Sequence, residues 1–102
     1  MAINIALTHS HSTMEFYDIV TDMSEQFREQ VEGIVRNALS VAGKQASDYA
    51  EEIKNKLDEQ FGPTWHVIVG RSFGSDVTHE AYNYLNCGFG PWSLVIFKAG
   101  YL

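Results

Sequence analysis

Apolar residues recur along this chain at two different periods, and the change of period divides it into parts. Phe27, Val31, Ile34, Val35, Ala38, Leu39 and Ala42 are spaced so that all of them share one face of a helix. Glu29, Glu32 and Arg36 fall on the opposite, solvated side. Asp22-Met23-Ser24-Glu25 marks the helix start, with Asp22 placed to cap free amides and Glu25 to reach back; Gly43 marks the stop. A second helix is expected from about Ser47 to Gln60, burying Tyr49, Ile53, Leu57 and Phe61. Gly62-Pro63 closes it, because glycine accepts a left-handed cap and proline cannot continue a helix.

On either side of the helices the texture is that of strands. Phe16 to Val20 is short and rich in strand formers, and Trp65 to Val69 is β-branched and aromatic. Phe73 to Thr78 and Ala81 to Cys87 suit two more strands, and Gly88-Phe89-Gly90-Pro91 suits a turn. Ser93-Leu94-Val95-Ile96-Phe97 is nearly all apolar, which places it inside a sheet with both faces covered. Two helices followed by antiparallel strands make an α+β domain, the helices packed on the sheet. The reading is a flexible N-terminal extension over residues 1–14 and a single domain over 15–102, with no internal repeat or linker.

The chain has 102 residues, of which 45% are hydrophobic, so a core can form, but a domain of this size gains from outside support. Cys87 is the sole cysteine, which excludes an intrachain disulfide and suits a reducing, cytoplasmic compartment. A second subunit is the expected support. The formal net charge is −6, and most of the acids lie between Glu15 and Glu59, with no basic stripe to offset them. A polyanion would be repelled, so nucleic acid is excluded as a partner. The apolar opening from Met1 to Leu7 is too short to insert into a membrane and lacks the charged flank of a secretory signal.

Catalytic and metal chemistry finds little footing. His9 and His11 make two ligands with no third nearby, which is a weak metal site. Cys87 lacks an orienting partner and an oxyanion nest, so it reads as a buried thiol and not as a nucleophile. Gly70, Gly74, Gly88 and Gly90 are not followed by the lysine and hydroxyl of a phosphate loop. No catalytic residue, metal or cofactor is expected.

The run from Gly62 through Pro63-Thr64-Trp65-His66 to Thr78-His79-Glu80 resembles the signature of the dynein light chain family, in its eight-kilodalton, peptide-binding class. Asp22-Met23-Ser24-Glu25 and the closing Phe97-Lys98-Ala99-Gly100 match as well, with one extra residue between the helices. The resemblance implies a strand-exchanged homodimer, in which the strand from Phe73 to Thr78 pairs with the partner's sheet. It implies a dimer interface at His66, Phe73, Ser75 and Val77. An imidazole packed at a two-fold contact resists charging, so the implied dimer weakens on acidification. A short peptide adds as a further strand beside the exchanged one, contacting Arg71, Ser72, Phe73, Gly74, Ser75, Asp76, Val77, Thr78, His79, Tyr84 and Asn86.

An open strand edge supports that mechanism almost regardless of peptide sequence, and side-chain pockets then supply selectivity. The implied role is a non-catalytic cytoplasmic adaptor on the microtubule motor dynein, holding segments of the dynein intermediate chain and other proteins. Asn86 and Gly88 stand where members of the family carry groove tyrosines, and Asp76 replaces a large aromatic. The alternative is therefore an accessory protein of the same fold that acts outside the motor with altered peptide preference.

Overall fold

The computed structural model describes residues 14–71 and 82–98. Strand β1 (Phe16–Thr21) is followed by helices α1 (Glu25–Leu39) and α2 (Ala46–Phe61), then β2 (Trp65–Gly70), β3 (Tyr82–Phe89) and β4 (Trp92–Lys98). The described strands form one antiparallel sheet in the order β1-β3-β4-β2. This is the α+β architecture expected from the periodicities, with both helices on one face. The expected strand from Phe73 to Thr78 lies outside the described residues.

Helix α1 begins at Ser24, whose extended backbone and side-chain oxygen cap the helix by accepting from the Phe27 amide at 3.2 Å. Asp22, expected as that cap, has another task. Its carboxylate accepts from the amides of Asn83 and Tyr84 at 3.3 and 2.9 Å. Strand β3 is irregular there: Asn83 has a φ of 52° and the register with β4 shifts between Tyr82 and Leu85. Asp22 satisfies donors that this bulge takes out of the ladder.

Val31, Val35, Ala38 and Leu39 bury the inner stripe of α1, as the spacing predicts. The helix stops at Leu39, short of Gly43, so Ala42 is exposed in the connection. Glu32 is half-buried and not on the wet side, because its side chain turns back along α1 toward Arg28. In α2, Tyr49, Ile53 and Leu57 are buried as expected. The Tyr49 hydroxyl donates to the Val41 carbonyl and ties down the loop between the helices. Gly62 ends α2 with a φ of 81° and a ψ of 150°, a positive-φ conformation outside the left-handed helical basin that the cap was expected to use.

Asp58 fastens the end of α2 to the start of β2. One carboxylate oxygen accepts from the Trp65 amide at 2.9 Å, and the other pairs with the Lys54 ammonium. Burial acts to raise the Asp58 pKa, but the Lys54 and Trp65 hydrogen bonds, with the charges of Lys54 and His66, bring it below the ordinary value.

The core lies between the helices and the inner face of the sheet. Trp65, Leu85, Phe89, Leu94 and Ile96 from the strands meet Val31, Val35, Ile53 and Leu57 from the helices, all essentially inaccessible to solvent. Strand β4 is internal, and Leu94, Val95 and Ile96 are buried in succession, but the helices cover only the face of Leu94 and Ile96 and not both faces as expected. The turn after β3 is shorter than expected. Gly88 and Phe89 stay in the strand, since Phe89 pairs with Trp92 and its ring packs 4.5 Å from that of Phe16.

Two measurements check this arrangement. Ile53→Ala removes a fully buried side chain and is expected to lower unfolding free energy by about 2–5 kcal/mol in denaturant titration. Asp58→Asn is expected to lower the melting temperature at neutral pH. Because the folded pKa of Asp58 lies below its unfolded value, its stabilisation is full above the ordinary carboxylate range. It is lost as pH falls through the folded pKa, so the melting difference between wild type and variant closes in acid.

Candidate functional site

Strand alternation and register divide the sheet into two faces. The inner face carries Trp65, Val69, Leu85, Cys87, Phe89, Leu94 and Ile96 against the helices. The outer face carries His66, Ile68, Asn86, Gly88, Val95 and Phe97, extended on β1 by Tyr17 and Val20. Much of this outer face is apolar and open: Val20 is 56% exposed, Ile68 51% and Tyr17 47%. Neither helix covers it. Strand β2 pairs only with β4 among the described residues, so its second edge presents N–H and C=O groups with no described ladder partner.

His66 sits on this face beside that edge. Its ring is exposed and stacks on Phe97, with centroids 5.1 Å apart and an angle of 18° between planes. Asn86 reaches the same face from β3, two strands away, and both residues flank β4: His66 opposes Phe97, and Asn86 opposes Val95. Asn86 is half-buried, and its Oδ1 has no hydrogen-bond partner. Tyr84 is half-buried, with its backbone held by Asp22 and by the Thr21 hydroxyl. Arg71 follows β2 and stacks its guanidinium 4.6 Å above the Trp92 ring. The geometry thus brings His66 and Asn86 onto one face, with Arg71 at the end of the open strand. Ser72, Phe73, Gly74, Ser75, Asp76, Val77, Thr78 and His79 lie outside the described residues.

Sequence reasoning passed over Tyr17, Val20 and Ile68 as surface residues of interest. The signal was present for Ile68, an apolar outward position in an alternating strand. For Tyr17 it was not, because the contact that defines it spans the sheet. The Tyr17 hydroxyl donates to the Gly90 carbonyl at 2.7 Å, and its ring lies across Gly88.

A model described as dynein light chain type 1 matches residues 19–99. The chain belongs to the dynein light chain family. It is 40% identical over 78 residues to a cytoplasmic dynein light chain 1 of Candida glabrata, covering 76% of this chain and 90% of that protein. A dynein light chain of Schistosoma mansoni is 39% identical over 79 residues, covering 78% of this chain and 88% of that protein. The cytoplasmic dynein light chain 1 of Saccharomyces cerevisiae is 37% identical over 78 residues, covering 76% and 84%. Among solved structures, the dynein light chain-like domain of a Fasciola hepatica calcium binding protein superposes with a TM-score of 0.75. It covers 87% of this chain and 95% of that one, and at 20% identity it shows the shared fold alone.

The one cysteine of this family member, Cys87, is buried on the inner face of β3. Burial, with a smaller contribution from the nearby Glu32 carboxylate, pushes its pKa up to about 12. A thiol so held is a poor nucleophile at neutral pH. Among the described residues no group of three His, Cys, Asp or Glu side chains is gathered to hold a metal. No described helix is long and apolar enough to cross a membrane.

Thiol titration checks the state of Cys87. Native protein at pH 7.5 is expected to react with a disulfide reagent at least about 100-fold more slowly than the denatured chain, in keeping with a mostly protonated, inaccessible sulfur. Equal rates would show that the sulfur is exposed.

Proposed function

We propose that the chain is a non-catalytic, homodimeric adaptor that holds short linear segments of partner proteins by β-strand addition. The observation that carries this reading is the outer face that neither helix covers, beside an edge of β2 with no ladder partner among the described residues. A domain that seals one side of its sheet with two helices and leaves Ile68, Val20 and Tyr17 in water has kept an interface. A second copy is the natural cover, because a self-complementary apolar face closes on itself about a two-fold axis. His66 and Phe97 lie within that face, in line with the role that the family resemblance implies for His66, with Phe73, Ser75 and Val77 completing the contact.

In this reading the strand from Phe73 to Thr78 crosses to the partner's β2 edge, and the target peptide adds beside it. Arg71, Ser72, Gly74, Asp76, Thr78, His79, Tyr84 and Asn86 then border the groove. Two grooves per dimer favour dimeric targets, since engaging one segment raises the effective concentration of the second. The cytoplasmic light chains among its relatives support a place on dynein in the cytoplasm, associated with microtubules and bound to intermediate-chain segments. A second reading is an accessory protein of the same fold outside the motor. It is favoured by Asn86 and Gly88, which leave these two outer-face positions of β3 without rings.

Sedimentation of Ile68→Glu tests the dimer: a carboxylate forced into an apolar interface is expected to weaken association by about 100-fold or more. An unchanged dimer would remove the outer face from the interface. A peptide array with wild type and Thr78→Ala tests the groove. Capture of Thr-Gln-Thr-type segments, reduced by the substitution, is the motor-type outcome; capture of a different peptide class points to the accessory role.

A further inference from the structure

The described sheet has a second rim. Strand β1 pairs only with β3 among the described residues, so its far edge presents N–H and C=O groups with no described ladder partner. Where β1 meets α1 there is a cavity of about 310 Å³. Met14, Glu15, Phe16 and Ile19 line one side of it, and Arg28, Glu32 and Arg36 line the other. A bulge gives β1 its side chain there. Three steps on β1, from Tyr17 to Val20, oppose two on β3, from Gly88 to Asn86, and Asp18 takes a φ of 53°. Tyr17 and Val20 therefore share the outer face, while Ile19, 37% exposed, borders the cavity on the helix side.

Connectivity and composition both indicate what covers this rim. Met14, the last residue of the expected extension, is held at the cavity: its carbonyl accepts from Arg36 at 2.9 Å, and its side chain packs over Gly90. Residues 1–13 are thus delivered to the free edge of β1, whereas the edge of β2 lies beyond β3 and β4. Within those residues Ile3, Ile5 and Leu7 alternate with Ala2, Asn4, Ala6 and Thr8, the period of a strand with one apolar side. Thr8-His9-Ser10-His11-Ser12-Thr13 is polar and rich in hydroxyls, which suits the connection of a hairpin. Residues 1–13 contain no Asp, Glu, Lys or Arg. In the cavity two arginines face two glutamates, and Arg28 and Glu32 already pair at 3.3 Å. A charge-balanced groove accepts an uncharged strand, whereas a charged one would lose solvation there without gaining a free partner.

We propose that residues 3–7 fold back as a strand antiparallel to β1, turning Ile3, Ile5 and Leu7 toward Phe16, Ile19 and the aliphatic stems of Arg28 and Arg36. Five residues extend about 17 Å as a strand, enough to run beside most of the six of β1. The added strand seals the second rim, and strand addition from outside is confined to the β2 edge. This docking does not depend on a peptide at β2.

Hydrogen exchange and NOE spectroscopy on isotope-labelled full-length protein test it, with Ile5→Asp and Ile19→Asp as variants. NOEs between backbone protons of residues 3–7 and of Phe16 to Val20 are expected in the wild type. A mixed sample of labelled and unlabelled copies is expected to place them within one copy. Each substitution is expected to speed exchange of the β1 amides that do not bond to β3 by about tenfold or more, with the Leu85 and Ile96 amides unchanged. Ile5→Asp alters no described core residue, so it keeps the test valid should Ile19→Asp disturb the fold. Absence of the NOEs, β1 exchange that Ile5→Asp leaves unchanged, or contacts of residues 3–7 with β2 or with another copy each overturn the docking.

Discussion

Both helices pack on the same side of the described sheet, and that one-sidedness governs the rest of the molecule. The inner face gathers Trp65, Leu85, Phe89, Leu94 and Ile96 into a dry core with α1 and α2. The outer face then keeps apolar side chains in contact with water, at a standing free-energy cost that burial against another surface relieves. Among the described residues the same topology leaves β2 at a rim. A face in need of cover and an edge in need of hydrogen bonds lie side by side, which is the physical basis for reading the domain as an assembly and docking unit.

Carboxylates hold the elements in this relation. Asp58 joins the end of α2 to the first amide of β2, and Asp22 joins the end of β1 to the bulge in β3. Arg36 adds a third tie from α1: its guanidinium lies 5.2 and 5.3 Å from the Phe16 and Phe89 ring centroids and donates to the Met14 carbonyl. The Asp22 and Arg36 ties join segments distant in sequence, whereas Asp58 clamps the short connection between α2 and β2. Arg28 and Glu32 form an ion pair at 3.3 Å along α1. Burial raises the Glu32 pKa, the charges of Arg28 and Arg36 lower it in part, and Glu29 adds to the rise.

Much of this was legible in the sequence where the physics is local. Periodicity located both helices and the described strands to within a few residues, and the apolar run of β4 announced an internal strand. The misses are non-local. Asp22 is a good helix cap by type, but Ser24 sits closer to the first turn and takes that place, freeing Asp22 for a bulge some sixty residues on. Gly88 was assigned to a turn by type. It remains in β3, paired with Tyr17 and Ser93, and the Tyr17 ring fills the volume a side chain would need, a contact that no spacing rule encodes. His66 and Asn86 were named through a family signature, and their shared face follows from register, which fixes every second residue to one side.

The account depends on the edge of β2 receiving a strand from another copy of the chain. Isotope-filtered NOE spectroscopy on a mixed dimer of labelled and unlabelled protein observes this directly. It is expected to yield backbone contacts between β2 of one copy and the Phe73 to Thr78 segment of the other. Contacts confined to a single copy, or a protein that stays monomeric at the concentrations used, would contradict it.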